Sequence, residues 1–123
     1  FNNALKLTRK LEEKNLLGQC LCYAGANLIS LNKYKKAEEY LKESIDLLVS
    51  ITDNIVLIEA YGHLAELYIK MVKDPEFKKE KNNYISAAKE MIEEGRKLNK
   101  VLKLEHWKDI FNNLEKINSG DSL

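Results

Sequence analysis

The sequence predicts an all-α fold built from helix-turn-helix repeats. Strand signals are nearly absent, because apolar and polar residues never alternate for long and the helix-favouring Leu, Glu, Lys and Ala dominate the chain. Apolar residues recur three and four positions apart, as they do on the buried face of an amphipathic helix. The apolar pattern also returns after 40 positions, and a period of this size is typical of stacked helical repeats.

The spacing predicts six helices, which are separated by short breaks and followed by a flexible tail at 118–123. The helices cover residues 2–14, 15–31, 34–52, 54–73, 75–99 and 104–117. The breaks contain residue types that cap helices or form turns: Asn15, Asn32 with Lys33, Asp53 or Asn54, and Asp74 before Pro75. Each break is therefore expected to reverse the chain and start a new helix.

The internal repeat can be followed residue by residue. At the offset of 40, Leu21 falls on Tyr61 and Leu28 falls on Tyr68, whereas residues 37–44 fall on 88–95 only at an offset of 51. Eleven residues are therefore added in the second hairpin, and sharing them between two antiparallel helices would lengthen each helix by about 8 Å. The tip of this extension is rich in lysine, and it is predicted to be either solvated or a docking site for an acidic partner: Lys70, Lys73, Lys78, Lys79 and Lys81.

Two units of the sequence resemble the tetratricopeptide repeat. The first unit reads Leu21-x2-Ala24-Gly25-x2-Leu28, then Tyr34-x2-Ala37-x3-Leu41-x2-Ser44. The second unit reads Tyr61-x2-Leu64-Ala65-x2-Tyr68, then Ala88-x3-Ile92-x2-Gly95. The resemblance implies an α-solenoid of antiparallel helix-turn-helix repeats, wound as a right-handed superhelix.

The resemblance also implies a division of the chain within a single domain at 1–117. Residues 1–14 would be the second helix of a truncated repeat, 15–52 a full repeat, 54–99 a repeat with an extended hairpin, and 104–117 a capping helix that includes Trp107. Because residues 3–7 match the late half of a second helix, we expect the chain to be the C-terminal part of a longer array.

The function that the resemblance implies is a non-enzymatic scaffold that binds a protein or peptide in a concave groove. The first helix of each unit would supply the groove residues: Gln19, Cys22, Tyr23, Ala26, Ser30, Glu59, Gly62, His63, Glu66 and Lys70. The family's clamp for a C-terminal carboxylate uses Lys, Asn and Arg, which are missing from the centre of this set. Tyr23 and His63 with two carboxylates suit a ligand that is basic and aromatic.

Two other functions are compatible with the same residues. One is a regulatory region of a larger signalling or transcription protein, in which a small molecule or peptide in the groove changes the packing between units. The other is self-association, either through the extended hairpin or, as a homodimer, through an N-terminal edge that carries the apolar residues Phe1, Leu5 and Leu7.

Catalytic, metal and cofactor sites are not predicted. Glu59, His63 and Glu66 share one helical face and could ligate a metal, but no second set of this kind occurs in the sequence. Cys22 has no base near it in sequence that would make it a nucleophile. The five glycines stand alone rather than in a phosphate-binding loop.

Net charge and hydropathy limit which classes of partner are expected. Twenty basic residues against nineteen acidic residues leave a net charge of +1, so no overall field favours nucleic acid or an anionic membrane. The longest uncharged segment, Asn15–Asn32, contains too many polar residues to be a membrane span. Cys20 and Cys22 point to different sides of a helix and are expected to be reduced thiols in a cytoplasmic protein.

Overall fold

The fold is all-helical. The computed structural model describes residues 2–51 and 55–120, and within these ranges it contains helices and turns but no strand. The helices are α1 (Asn2–Ser30), α2 (Tyr34–Leu48), α3 (Ile55–Lys73), a short 3-10 helix (Pro75–Glu80), α4 (Lys81–Leu102) and α5 (Glu105–Ser119). Three features predicted from the sequence lie outside the described residues: the edge residue Phe1, the cap at Asp53 or Asn54, and the tail from residue 121 onward.

Helix α1 corrects the predicted break at Asn15. Residues 2–14 and 15–31 were expected to be two helices, but one helix runs from Asn2 to Ser30. Asn15 lies inside that helix, where asparagine costs only some tenths of a kcal/mol relative to alanine. The surrounding residues, LEEK before it and LLGQ after it, include no proline, so nothing stops the helix there. Every residue from Asn3 to Lys14 is exposed, and we call this part of α1 the N-terminal arm.

The extended hairpin is shorter than predicted. Helix α3 ends at Lys73, three residues beyond the position equivalent to the end of α1, and α4 starts at Lys81, four residues before the position equivalent to the start of α2. Each helix is therefore lengthened by about 5 Å rather than about 8 Å. Residues 75–80, between the two helices, form the 3-10 helix. Its start is capped as predicted, because the Asp74 carboxylate accepts a hydrogen bond from the Glu76 backbone N–H at 2.9 Å.

The tip of this hairpin is fastened to α2 by an aromatic cluster. Phe77 is buried, and its ring centroid lies 6.4 Å from that of Tyr34 and 5.8 Å from that of Tyr84. The Lys35 ammonium donates a hydrogen bond of 2.8 Å to the Tyr84 hydroxyl. The lysines of the tip all face solvent: Lys70, Lys73, Lys78, Lys79 and Lys81.

The five helices pack in chain order, so that each helix contacts its neighbours in the sequence. Helix α3 contacts every other helix, whereas α1 contacts α2 and α3 but neither α4 nor α5 within the described residues. One continuous apolar core follows α3 and includes Leu41, Leu64, Ile92 and Phe111. The packing therefore joins α1 with α2 and α3 with α4 most closely, and α5 packs against α3 and α4.

Glycines set the closest approaches between helices. A Cβ atom built on Gly18 would lie 2.6 Å from Leu48, and one on Gly25 would lie 2.7 Å from Leu41. A Cβ on Gly95 would collide with the ring of Phe111. Real Cβ atoms essentially never come within 3.0 Å of another heavy atom, so a side chain at these positions would force the helices apart.

Candidate functional site

The predicted groove residues lie along α1 and α3, and these two helices are in contact. From α1, Gln19 and Ala26 are half-buried and Tyr23 and Ser30 are exposed, whereas Cys22 is completely buried and offers no surface to a ligand. From α3, Lys70 is exposed, and three half-buried residues accompany it: Glu59, His63 and Glu66. We call the surface formed by the accessible residues of this set the α1–α3 groove.

Glu59 and Tyr23 connect the two helices of the groove. The charge of the Glu59 carboxylate, and after it partial burial, raises the pKa of the Tyr23 hydroxyl above its ordinary value. Because Tyr23 is half exposed, its ring remains available to stack against a ligand. The pair therefore presents an aromatic face beside a negative charge.

Cys22 lies behind this pair in the core. Burial, with a smaller contribution from the Glu59 charge, raises the pKa of its thiol to about 12. The thiol is therefore protonated at neutral pH, and only a thiolate acts as a nucleophile or metal ligand. Cys20 is exposed, and both cysteines are free thiols.

The second half of the groove is a row of charges on α3. Glu66 lies 4.0 Å from Nδ1 of His63, an ion pair when the imidazole is protonated, and 3.6 Å from Nζ of Lys70. The interaction with His63 first, and with Lys70 second, holds the pKa of Glu66 below its ordinary value even though partial burial opposes this. Glu66 is thus a carboxylate at neutral pH, and its side chain is 44% exposed.

Trp107 lies against the middle of the α3 part of the groove, a contact that the sequence did not predict beyond placing this residue on a capping helix. Its indole lies against Gly62, where a Cβ atom would collide with the ring. The indole also meets the His63 ring edge-on, with centroids 6.4 Å apart. Gly62, predicted to line the groove, is therefore covered by the Trp107 indole. The sequence offered only a weak signal for this contact: a glycine within α3 and a single tryptophan elsewhere in the chain.

A metal site at Glu59, His63 and Glu66 does not form. No three His, Cys, Asp or Glu side chains within residues 2–51 and 55–120 are grouped so that they could hold a metal ion. Glu59 interacts with Tyr23, and Glu66 interacts with His63 and Lys70. The arrangement is suited to non-covalent recognition through an aromatic ring, two carboxylates and an imidazole.

Comparisons with family models, with curated proteins and with solved structures found no match for this chain. Among the helices of the described residues, none is both long enough and apolar enough to cross a membrane. Within residues 2–51 and 55–120 the fold is all-helical, with five α-helices packed against one another.

Proposed function

We propose that the chain is a non-enzymatic module of the tetratricopeptide-like α-solenoid type, which binds a peptide or protein segment in the α1–α3 groove. The observation that carries the proposal is the packing of helix pairs in chain order. This packing brings α1 and α3, the first helices of two successive pairs, into contact and leaves Tyr23, Glu59, His63 and Glu66 accessible between them. Helical repeats commonly use such a surface to bind extended segments.

The chemistry of the groove favours a ligand with basic and aromatic side chains. The carboxylates of Glu59 and Glu66 can accept charge-assisted hydrogen bonds from arginine or lysine. The half-exposed ring of Tyr23 can stack on an aromatic ring or on a guanidinium group. Only Lys70, at the end of the row, would oppose a basic ligand, and it is already paired with Glu66.

Trp107 provides the assay. It is the only tryptophan in the chain and it contacts the groove residue His63, so a ligand in the groove should change its emission. We would titrate the protein with a library of short peptides that differ in charge and aromatic content, and follow the fluorescence at low ionic strength. Peptides that combine arginine with tyrosine or tryptophan should bind. Binding of peptides that contain tryptophan should be measured by calorimetry, because their own emission overlaps with that of Trp107.

A pair of variants with a matched control tests the site. Glu59→Gln with Glu66→Gln should weaken binding of the basic aromatic peptide about three- to tenfold, because each exposed ion pair is worth up to about 1 kcal/mol. Glu12→Gln with Glu39→Gln removes the same charge from exposed positions outside the groove and should change affinity less than twofold. Failure of the basic aromatic peptide to bind, or equal effects of the two pairs on its binding, would refute the proposed site.

Self-association is a second candidate, and the exposure of the N-terminal arm favours it. Leu7 and Leu11 lie on the same face of α1 as the buried Gly18 and Gly25, because these positions are spaced by three or four residues or by sums of these. Leu7 is nevertheless 62% exposed and Leu11 is 54% exposed. The face that packs against α2 thus continues along the arm without a partner in the described residues, and a second copy of the chain would cover it.

Light scattering after size-exclusion chromatography tests this candidate. If the arm forms a dimer, the wild-type chain should show twice the monomer mass at high concentration, and Leu7→Glu with Leu11→Glu should return it to the monomer. Leu31→Glu with Val101→Glu changes residues of equal exposure elsewhere, each 64% exposed, and should leave the mass unchanged. A wild-type chain that stays monomeric at all concentrations would exclude the dimer.

A further inference from the structure

A concave surface lies between the C-terminal half of α4 and the N-terminal half of α5. It is a cavity of about 410 Å³, within the size range of sites that hold small ligands or a few side chains of a peptide. We call it the basic cleft, and its lining residues are Arg96, Asn99, Lys100, Lys103, Leu104, Glu105, Lys108 and Asn112. Lys108 and Asn112 are on a different face of α5 from Trp107, so the basic cleft is separate from the α1–α3 groove.

The basic cleft concentrates positive charge in a chain that is otherwise almost neutral. Lys100, Lys103 and Lys108 form no ion pair within the described residues, and Glu105 is the only carboxylate in the lining. Three ammonium groups and one carboxylate leave two positive charges here, against +1 for the whole chain.

Arg96 lines the basic cleft, but its guanidinium is bonded to other side chains and is not free to pair with a ligand. Its guanidinium donates to the Glu115 carboxylate and to Oδ1 of Asn112, the latter at 2.7 Å. These bonds join α4 to α5 across one side of the cavity. The charge of Arg96 is largely compensated by Glu115, so the three lysines carry the attraction for an anion.

The turn that carries Lys103 is held rigidly. Asn99 donates to the backbone carbonyl of Leu104 at 3.1 Å and accepts from the Leu104 N–H at 3.0 Å. Lys103 itself has a φ of 53°, in the left-handed region that disfavours residues with a Cβ atom. The other left-handed positions in the described residues are occupied by Asn32 and Gly120, the residue types that tolerate it. Lys103 therefore adopts a conformation that its residue type disfavours, and it lines the cleft.

We propose that the basic cleft binds an acidic peptide segment, whose carboxylates pair with Lys100, Lys103 and Lys108 while an apolar side chain packs on Leu104. The methylene stems of the lysines extend the apolar floor that Leu104 provides. A peptide fits better than a nucleic acid, because the charge is confined to one cavity and the net charge of the chain offers no extended field along a phosphate backbone. This surface is independent of the proposed α1–α3 groove.

The test uses fluorescence anisotropy with a labelled probe peptide of alternating glutamate and leucine, blocked at both ends. A matched peptide with glutamine in place of glutamate is the control. The acidic peptide should bind, and its affinity should fall as salt is raised because exposed charges are screened. Lys100→Glu with Lys108→Glu should weaken binding at least about tenfold, whereas Lys10→Glu with Lys14→Glu, the same change on exposed lysines of the N-terminal arm, should change it less than about twofold.

Lys103→Gly separates binding from folding. Glycine adopts the left-handed conformation without strain, so this variant should unfold at an equal or higher temperature while it binds the acidic peptide about threefold more weakly. Glu59→Gln with Glu66→Gln should leave this binding unchanged, which distinguishes it from the α1–α3 groove. The proposal is overturned if the acidic peptide does not bind at low salt, if both lysine pairs have equal effects, or if millimolar inorganic phosphate displaces the peptide completely.

Discussion

Replacing Gly25 by alanine tests whether close helix contact, rather than helix propensity, governs stability at the α1–α2 pair. In an isolated helix this change is stabilising by about 1 kcal/mol. In the structure the new Cβ atom would lie 2.7 Å from Cγ and 2.9 Å from Cδ2 of Leu41. Leu41 is completely buried, so it has no open space into which to move, and overpacking of this kind costs about 1–3 kcal/mol.

The two effects oppose each other, and the packing term is the larger one at this position. Because two atoms of Leu41 are approached within 3.0 Å, we take the upper part of the overpacking range, which leaves a net loss of about 1–2 kcal/mol. For a chain of this length that corresponds to a melting temperature lower by about 4–8 °C. Differential scanning calorimetry or thermal circular dichroism measures it directly.

A second background and a surface control make this prediction refutable. In a Leu41→Ala background the obstacle is gone, so Gly25→Ala should become neutral or stabilising by up to about 1 kcal/mol. Asn27→Ala changes an exposed residue of the same helix and should stay within about 0.5 kcal/mol of the wild type. The reasoning is wrong if Gly25→Ala is as stable as the wild type, or if it costs the same in both backgrounds.

Three further changes have expected outcomes in thermal or urea unfolding. Tyr68→Phe should destabilise by about 1–2 kcal/mol, because the hydroxyl donates a 2.8 Å hydrogen bond to the Glu38 carboxylate, and Glu38→Gln should reduce that loss. Ser44→Ala should cost about 1 kcal/mol, since its buried hydroxyl donates to the Gly18 carbonyl at 2.6 Å; Ser50→Ala, on the surface, should cost nothing measurable. The folded structure lowers the pKa of Glu66 below its ordinary value of about 4.5, so the ionised carboxylate should stabilise the fold above that pH and lose this effect as the pH falls below it. The difference in melting temperature between Glu66→Gln and the wild type should therefore shrink between pH 7 and pH 3. A constant difference would contradict this.

The helices were predictable from the sequence wherever an apolar stripe and a strong breaker coincided. Asp74 and Pro75 predicted a capped start, and Asn32 predicted a turn, because these residues act through local backbone geometry alone. Asn15 was misread as a cap, since a capping residue type indicates a helix start only where the chain also leaves the helical conformation. The 3-10 helix was missed because it depends on burying Phe77 against Tyr34, which is 43 positions away in the sequence.

The surfaces were less predictable than the helices. The helical spacing placed Glu59, His63 and Glu66 on one face, but it could not say that Trp107 would cover Gly62, because that contact depends on how α5 crosses α3. The basic cleft did have a signal: Arg96 and Lys100 are four residues apart on α4, and Lys103 follows directly after that helix ends. Its significance depends on the turn at Lys103, which brings Lys108 back toward them.

The position of α3 has a consequence for how the chain loses its structure. Since α1 does not touch α4 or α5 within the described residues, either end of the molecule can open while the other keeps its contacts. Only the loss of α3 removes a contact from every other helix. Amide hydrogen exchange should therefore be slowest in the middle of α3 and become faster toward both termini, with α5 and the N-terminal arm exchanging by local opening. Local unfolding would then begin at the two ends, at free energies below that of the global transition.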